Sequence, residues 1–384
     1  MDKTVKEILL DDFWIMPATP EYIDDGVPYI TSKNIKNGKI DFSKANHISQ
    51  EAYDSISKNR PILQGDILIS MIGTLGETAE VKSEDGQFYG QNMFLIRLDE
   101  SQIDKRYFLN YFKSSTVRRS LEGKQNQSTQ KYLKANHIED LTIPVIDILE
   151  QKKAATILDK LSTIIERRQE ELQKLDNLIK SRFVEMFGDP VLNPYGWEQT
   201  TLKDVAVGNL SYGSCASAVE FDGTCRYVRI TDITESGGLN DDVKSPDKYD
   251  EKYLLHDGDV LFARSGATVG KTLRYSEEKH GKGIYAGYLI RLVPNTEKVL
   301  PDYVFYYTKT EYYASFVKKA QRAVAQPNIN AQEYGDLIIC VPPIELQEKF
   351  MAFVTQVDKL KFEVQRSLDE TQMLMDSLMQ KYFG

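Results

Sequence analysis

The stretch "SRFVEMFGDP" at residues 181–190 and the closing "SLMQKYFG" at residues 377–384 put the same Phe-Gly pair, Phe187-Gly188 and Phe383-Gly384, at two places in a chain of 384 residues. This echo decides the fold. Shifting the sequence by 196 positions sets Tyr107 opposite Tyr303, Asp140-Leu141 opposite Asp336-Leu337 and Gln151 opposite Gln347. Earlier segments match at slightly different offsets: "TVKEI" (4–8) with "TLKDV" (201–205), and "YITSKNI" (29–35) with "YVRITDI" (227–233). "LQGDILISMIGTLGET" (63–78) faces "HDGDVLFARSGATVGKT" (256–272) with one residue inserted in the second glycine loop, and "FLIRL" (94–98) faces "YLIRL" (288–292). A chain with such an internal period is read as one structural unit written twice, here ending where its second copy ends.

Each copy changes its hydrophobic period partway. The first part mixes short alternating strands ("GDILISMIG", "FLIRL", "GDVLFARSG", "YLIRL") with helical stretches at about 104–121 and 301–320, a mixed α/β pattern. Asp104 suits a helix N-cap and Pro301 a first helical position. The second part lacks Gly and Pro before its closing Phe-Gly and is rich in Leu, Glu, Lys and Gln, which predicts a long helix. Heptad spacing gives the first helix a seam of Leu158, Leu161, Ile165, Leu172, Leu175 and Ile179, and the second a seam of Val354, Val357, Val364, Leu368, Met375 and Leu378. Arg168, Lys361 and Thr371 interrupt these seams, so a solvated helix lying on its own head is the competing reading. The expected division is a head at 1–147, a spacer helix at 148–188, a linker at 189–196, a second head at 197–343 and a second spacer helix at 344–384. If the second head's termini lie close together, the helices run antiparallel and form a spacer of roughly 55 Å. The fold class is thus two mixed α/β heads separated by two long antiparallel coiled-coil helices, a tandem repeat imitating a twofold dimer.

Composition narrows the function. Hydrophobic residues make up 41% and charged residues 27%, and no apolar run reaches the about eighteen residues a membrane span needs. "MDKTVKEILLDDF" at the start lacks the features of a secretory signal, so a cytoplasmic location is expected. Cys215, Cys225 and Cys340 form no C-x-x-C pair, which favours reduced thiols over disulfides or zinc. A net charge of -9 argues against coating nucleic acid by bulk electrostatics, so any DNA contact must use local patches.

Two reading heads on a rod match the way twofold DNA readers address two half-sites. The duplicated layout, the "GDP" and "NPYGW" linker (188–197), the "GDIL" and "GDVLFARSG" strands, and "IPVIDILEQ" beside "VPPIELQ" ahead of each helix resemble the specificity subunit of type I restriction-modification systems. The resemblance covers essentially the whole chain and rests on the order and spacing of motifs that are individually weak. It implies that each α/β head is a target recognition domain for half of a bipartite site in double-stranded DNA. It also implies two adenine-N6 methyltransferase subunits docked on the helices, restriction-translocase subunits, and no catalysis or cofactor on this chain. S-adenosylmethionine, ATP and magnesium would sit on the partners. A coiled-coil scaffold whose heads bind proteins is the alternative.

Candidate DNA contacts follow charge and amide content. Residues 105–134 carry Lys105, Arg106, Lys113, Arg118, Arg119, Lys124, Lys131 and Lys134 against the single acid Glu122, a phosphate-seeking patch. Within it, "KQNQSTQK" (Lys124, Gln125, Asn126, Gln127, Ser128, Thr129, Gln130, Lys131) is dense in amides that suit adenine edges. The second copy offers Lys318, Lys319, Gln321, Arg322, Gln326 and Asn328, with Arg322 suited to guanine. Lys33, Asn34, Lys36 and Lys39 form a basic loop in the first copy only, and Arg264, Ser265, Thr268 and Lys271 occupy the second glycine loop. "SGATVGKT" (265–272) misses a Walker A loop by one residue and continues into a strand-like "LRYS". "NPYGW" reads as a linker turn, and His47, His137, His256 and His280 do not recur between copies, which disfavours a duplicated metal site. The tyrosines of "YVFYYTKTEYYASF" (303–316) have helical spacing and read as packing.

Overall fold

The computed structural model describes residues 1–384 apart from 12, 17–19, 74, 126–131 and 324–326, and apart from the side chains of Lys124, Gln125, Arg322 and Ala323. It divides into two compact units: Met1–Gln169 with Arg366–Gly384, and Glu170–Gln365. The heads and helices are therefore not separate bodies. Each unit joins one α/β head to half of each long helix, because head and helix share a core: Tyr107 and Ile143 cluster with Leu158, Met375 and Phe383 in the first unit, and Tyr303 and Ile339 with Ile179, Phe350 and Val354 in the second.

In the first unit, Asp2–Thr4 pairs antiparallel with Thr142–Pro144. A four-stranded antiparallel sheet runs in the order Trp14–Ile15, Met93–Ile96, Ile67–Ser70, Thr78–Glu80. Val27–Thr31 pairs antiparallel with Asn46–Ile48 and parallel with Tyr89–Gln91. The second unit repeats the plan: Glu198–Thr201 pairs with Ile338–Val341, and the four-stranded sheet runs Ser211–Tyr212, Leu289–Leu292, Val260–Ala263, Thr272–Arg274.

The central strands do not alternate between core and solvent. Ile67–Ser70 and Val260–Ala263 are buried at every position. Alternate residues instead serve two different cores: Ile67 and Ile69 join the helix-side cluster, whereas Leu68 packs with Leu95, Tyr89 and Phe88 on the other face. Val260 and Phe262 against Leu261 and Ala263 divide the same way in the second unit. A sheet covered on both faces needs apolar residues on both, as parallel sheets do.

The expected single helices after the sheets are each broken into two, Lys105–Phe112 and Ser115–Gln125 in the first unit, Pro301–Tyr307 and Glu311–Ala323 in the second. A hydroxyl restarts each second helix: Ser114 Oγ accepts from Val117 N at 3.3 Å, and Thr310 Oγ1 from Tyr313 N at 3.4 Å. This side-chain bond competes with the continuous helical ladder. Asp104 caps the first segment by accepting from Tyr107 N at 3.0 Å, and Pro301 occupies its first-turn position. Tyr303, Tyr307 and Tyr313 are buried, which makes them packing residues.

The long helices are Ile148–Phe187 and Ile344–Phe383. Within the second unit they run antiparallel: Phe187 meets Phe350, Arg182 lies over the Phe353 ring, and Lys361 bonds Asp176 at 2.6 Å. Every seam position from Leu158 to Leu378 is buried or half-buried, including Ile165, Leu172, Leu175, Val357, Val364 and Leu368. The linker is tied to the helix end, with Asn193 Oδ1 accepting from Trp197 N at 2.9 Å and Tyr195 donating to Glu185 O at 2.7 Å.

One buried amide fastens each head to its helix. Gln347 accepts from Leu300 N at 2.8 Å and donates to Lys298 O at 3.0 Å and Pro342 O at 2.8 Å. Gln151 makes the same three bonds 196 residues earlier, to Asp104 N, Gln102 O and Ile146 O. Both side chains are fully buried. Gln347→Leu strands three backbone groups, so at about 1 kcal/mol net per bond it is expected to lower stability by about 3 kcal/mol in urea unfolding. The exposed Gln356→Ala serves as the near-neutral control.

Candidate nucleic-acid interface

In each unit the glycine loop lies beside the segment that follows the second head helix. Leu133 N donates to Met71 O at 2.9 Å in the first unit, and Ile329 N to Arg264 O at 2.8 Å in the second. Isolated bridges join Ile72 to Tyr132 and Ser265 to Asn328. The glycine loop at 264–271 and the candidate Asn328, widely separated in sequence, are thereby brought to one place.

Glycine makes the approach possible. Gly76 and Gly270 both have positive φ, 75° and 86°, and a Cβ at either would fall 2.8 Å from Leu121 Cδ1 or 2.5 Å from Val317 Cγ1 on the second head helix. The loop after Gly270 enters the strand Thr272–Arg274, so the Walker-like stretch leads into no phosphate-facing helix.

Arg264 stands at the centre of the second site. Its guanidinium lies 4.7 Å over the Tyr212 ring and its Nε donates to Asn328 Oδ1 at 3.2 Å. Tyr212 is itself fixed, its hydroxyl accepting from Ala331 N at 3.0 Å. Tyr288, 62% exposed, contributes the carbonyl that accepts from Arg264 N at 3.0 Å. Sequence reading missed Tyr212 because "LSYGS" carries no charge or motif and lies 52 residues before the arginine it supports. Lys318, Lys319, Gln321 and Asn328 are exposed on the same unit.

Four candidates are engaged by their surroundings. Asn34 is buried, with Oδ1 accepting from Thr31 N at 2.9 Å and Nδ2 donating to Asp41 O at 2.8 Å, so its amide shapes the loop and leaves no edge for a base. Ser265 is buried, and its carbonyl accepts from the hydroxyl of Thr268, which spends that candidate on closing the turn. Lys271 is held by Glu235 at 2.9 Å and by Ile233 O at 3.3 Å, which neutralises it locally. The patch at 105–134 is likewise smaller than its composition: Lys105 pairs with Glu80 and Glu100, and Arg106 with Asp159.

Lys33, Lys36 and Lys39 remain exposed around the Asn37-Gly38 turn of the hairpin Ile35–Lys36 and Lys39–Ile40. Arg118 and Arg119 are exposed on the helix Ser115–Gln125. Asn126, Gln127, Ser128, Thr129, Gln130, Lys131 and Gln326 lie outside the described residues, as do the side chains of Lys124, Gln125 and Arg322. Among the described residues no group of His, Cys, Asp and Glu could hold a metal ion, and no helix is long and apolar enough to cross a membrane. The three cysteines are free thiols.

Near this site Lys309 donates to Thr272 Oγ1 at 3.2 Å and lies 4.5 Å over the Phe305 ring. Burial, reinforced by Lys180, lowers its pKa to about 8.

Comparison with known proteins joins these observations. A family model described as the type I restriction modification DNA specificity domain matches residues 16–177 and again 194–370. The StySPI type I restriction enzyme specificity subunit of Salmonella potsdam is 22% identical over 389 residues, spanning 94% of this chain and 82% of that protein. A chain from a structure on complex assembly and conformational transition of the type I R-M system superposes with TM-score 0.61 at 17% identity, covering 100% of this chain and 97% of its own. The S subunit of a type I restriction-modification system from M. genitalium superposes with TM-score 0.57 at 15% identity, covering 100% and 96%.

Two outcomes are expected. Replacing both Lys318 and Lys319 with Ala should weaken DNA binding almost equally for all sequences and flatten the log-affinity against log-salt slope by about 1 to 2 in salt titrations. For Lys309, the unfolded chain holds a proton that the folded unit has shed between pH 8 and about 10.5. Stability should therefore rise with pH across that window. Urea midpoints of wild type and Lys309→Met should show the rise only in the wild type.

Proposed function

The chain belongs to the type I restriction modification DNA specificity family, and from that premise we propose how its two copies divide the work. Its role is DNA sequence specificity in a type I restriction-modification system. Each head, 1–147 and 197–343, acts as a target recognition domain that reads one half of an asymmetric, split site in double-stranded DNA. The helices at 148–188 and 344–384 form an antiparallel coiled coil that sets the gap and docks two adenine-N6 methyltransferase subunits. Restriction-translocase subunits complete the assembly. Catalysis, with S-adenosylmethionine, ATP and magnesium, belongs to those partners in the cytoplasm, and this chain performs selection alone.

The observation that carries the reading is a duplicated frame bearing unlike side chains. Met71, Ile72 and Tyr132 occupy the loop junction of the first head, where the second head has Arg264, Ser265 and Asn328. Identical heads would read a symmetric site, whereas these would read different halves. Partners that enclose the duplex and share its phosphates would let a subunit of net charge -9 hold DNA. Basic side chains left exposed on the heads, such as Lys33, Lys36, Lys39, Arg118, Arg119, Lys318 and Lys319, are proposed as phosphate contacts.

Removing residues 165–171 and 366–372, one heptad from each helix, takes about 10 Å from the spacer, close to the rise of about three base pairs. Methylome sequencing of cells carrying the shortened chain with its methyltransferase should show both half-sites unchanged with a shorter gap, or no methylation. A new half-site at the original gap would refute the ruler role.

A further inference from the structure

We propose that Arg264 reads a guanine in the half-site addressed by the second unit, and that Tyr212 and Asn328 are the positioning residues that aim it. The inference rests on the DNA-specificity reading above and deepens it by naming one base.

Charge accounting across the second unit singles out this arginine. Arg182 is paired with Glu185, Arg229 with Asp232 and Asp242, Arg274 with Asp257 and Asp302, and Arg291 with Asp259. Arg226 is buried and donates to Asn240 O at 2.7 Å. Among the described side chains of the unit, Arg264 alone is an arginine that is partly accessible and bonded to neither a carboxylate nor a backbone carbonyl. An unneutralised guanidinium over the ring of Tyr212, itself 42% exposed, has no structural task that explains it.

Its restraints fit reading a base edge. The ring of Tyr212 lies 4.7 Å under the guanidinium, and Asn328 Oδ1 accepts a hydrogen bond from Nε. Among the described residues neither terminal NH2 group has a hydrogen-bond partner, and the two form a planar pair of donors, the fork that matches the O6 and N7 acceptors of guanine in the major groove. A phosphate contact would not need this restraint, since phosphate accepts donors from many directions. Side-chain immobilisation before binding also reduces the entropy lost on recognition. The first head presents Met71 and Ile72 at the corresponding junction, so this arginine contact belongs to one half-site only.

The test uses the complex of this chain with its methyltransferase and a randomised DNA library, with the selected site compared among wild type, R264A, R264K, Y212F and Y212A. Wild type should select a split site with a guanine in one half, preferred by about 5- to 150-fold over other bases at that position. R264A should lose that preference and leave the other half-site intact, which also reports that the complex is folded. R264K keeps the charge without the fork, so it should retain overall affinity but lose guanine discrimination. Y212F keeps the ring but loses the hydroxyl that Ala331 N holds, so it should retain more of the preference than Y212A, which removes the ring and should weaken it most. If wild type selects a split site and R264A and R264K relax no single position, the arginine inference fails and the specificity reading stands. If wild type selects no split site, both fail.

Discussion

The three hydrogen bonds made by one buried glutamine hold each unit together. Gln151 and Gln347 each fix the first turn of a long helix to a loop carbonyl, to the start of a head helix and to the residues leading into the helix. Only a neutral amide supplies one acceptor and two donors in a plane, so glutamate would lose the donors and a hydrophobe would lose everything. Around this clamp the tyrosines repeat as well. Tyr107 and Tyr303 donate to Pro144 O and Cys340 O, and Tyr111 and Tyr307 to Thr142 O and Ile338 O. Polar atoms buried in a low-dielectric core bind their partners strongly and tolerate little displacement. A head fastened in this way transmits its orientation to the helix, which a reading device requires.

The repeat, the long helices and the mixed heads were legible because they depend on patterns the chain displays locally or at a constant offset. The register of 196 residues survives from Tyr107 to Gly384, and the Gln151 and Gln347 clamp lies within it. The two-sided burial of the sheet was not legible. Ile67, Leu68 and Ile69 are all apolar, and nothing in the residue types says that Leu68 serves a different core from its neighbours. The helix breaks at Ser114 and Thr310 were hidden for another reason. A hydroxyl within a helical stretch is compatible with continuation, and the bonds to Val117 N and Tyr313 N decide otherwise.

The candidate interface divides along the same line. Residue type located the glycine loop of the second head, and composition located the basic helices. Which charges remain available depends on neighbours distant in sequence. Lys271 meets Glu235, Lys105 meets Glu80, and Asn34 turns inward to Thr31 and Asp41. The equivalent of Asn34 in the second unit is Asp232, which accepts from Arg229 N at 2.8 Å, so this position is a turn-closing acceptor in both copies. Tyr212 shows the opposite failure, a residue of no apparent importance that acquires a role from the arginine stacked on it.

The two loop junctions carry different side chains on the same backbone frame. The stabilising bonds there are backbone to backbone, Leu133 N to Met71 O and Ile329 N to Arg264 O, and they are indifferent to side chain. The strand pairing has room to move as well. Ile67 pairs with Ile96, yet Val260 pairs with Leu292, a slip of two residues relative to the aligned sequences. A slip of two preserves which face each residue occupies, whereas a slip of one would turn the core outward. It moves Tyr288, the counterpart of buried Phe94, to the exposed end of the strand beside Arg264. Side chains at the junction are thus replaceable at small cost in stability, while the glutamine clamp and the glycines under the head helix are not. That difference in cost is what the base-reading role proposed for Arg264 requires of its junction.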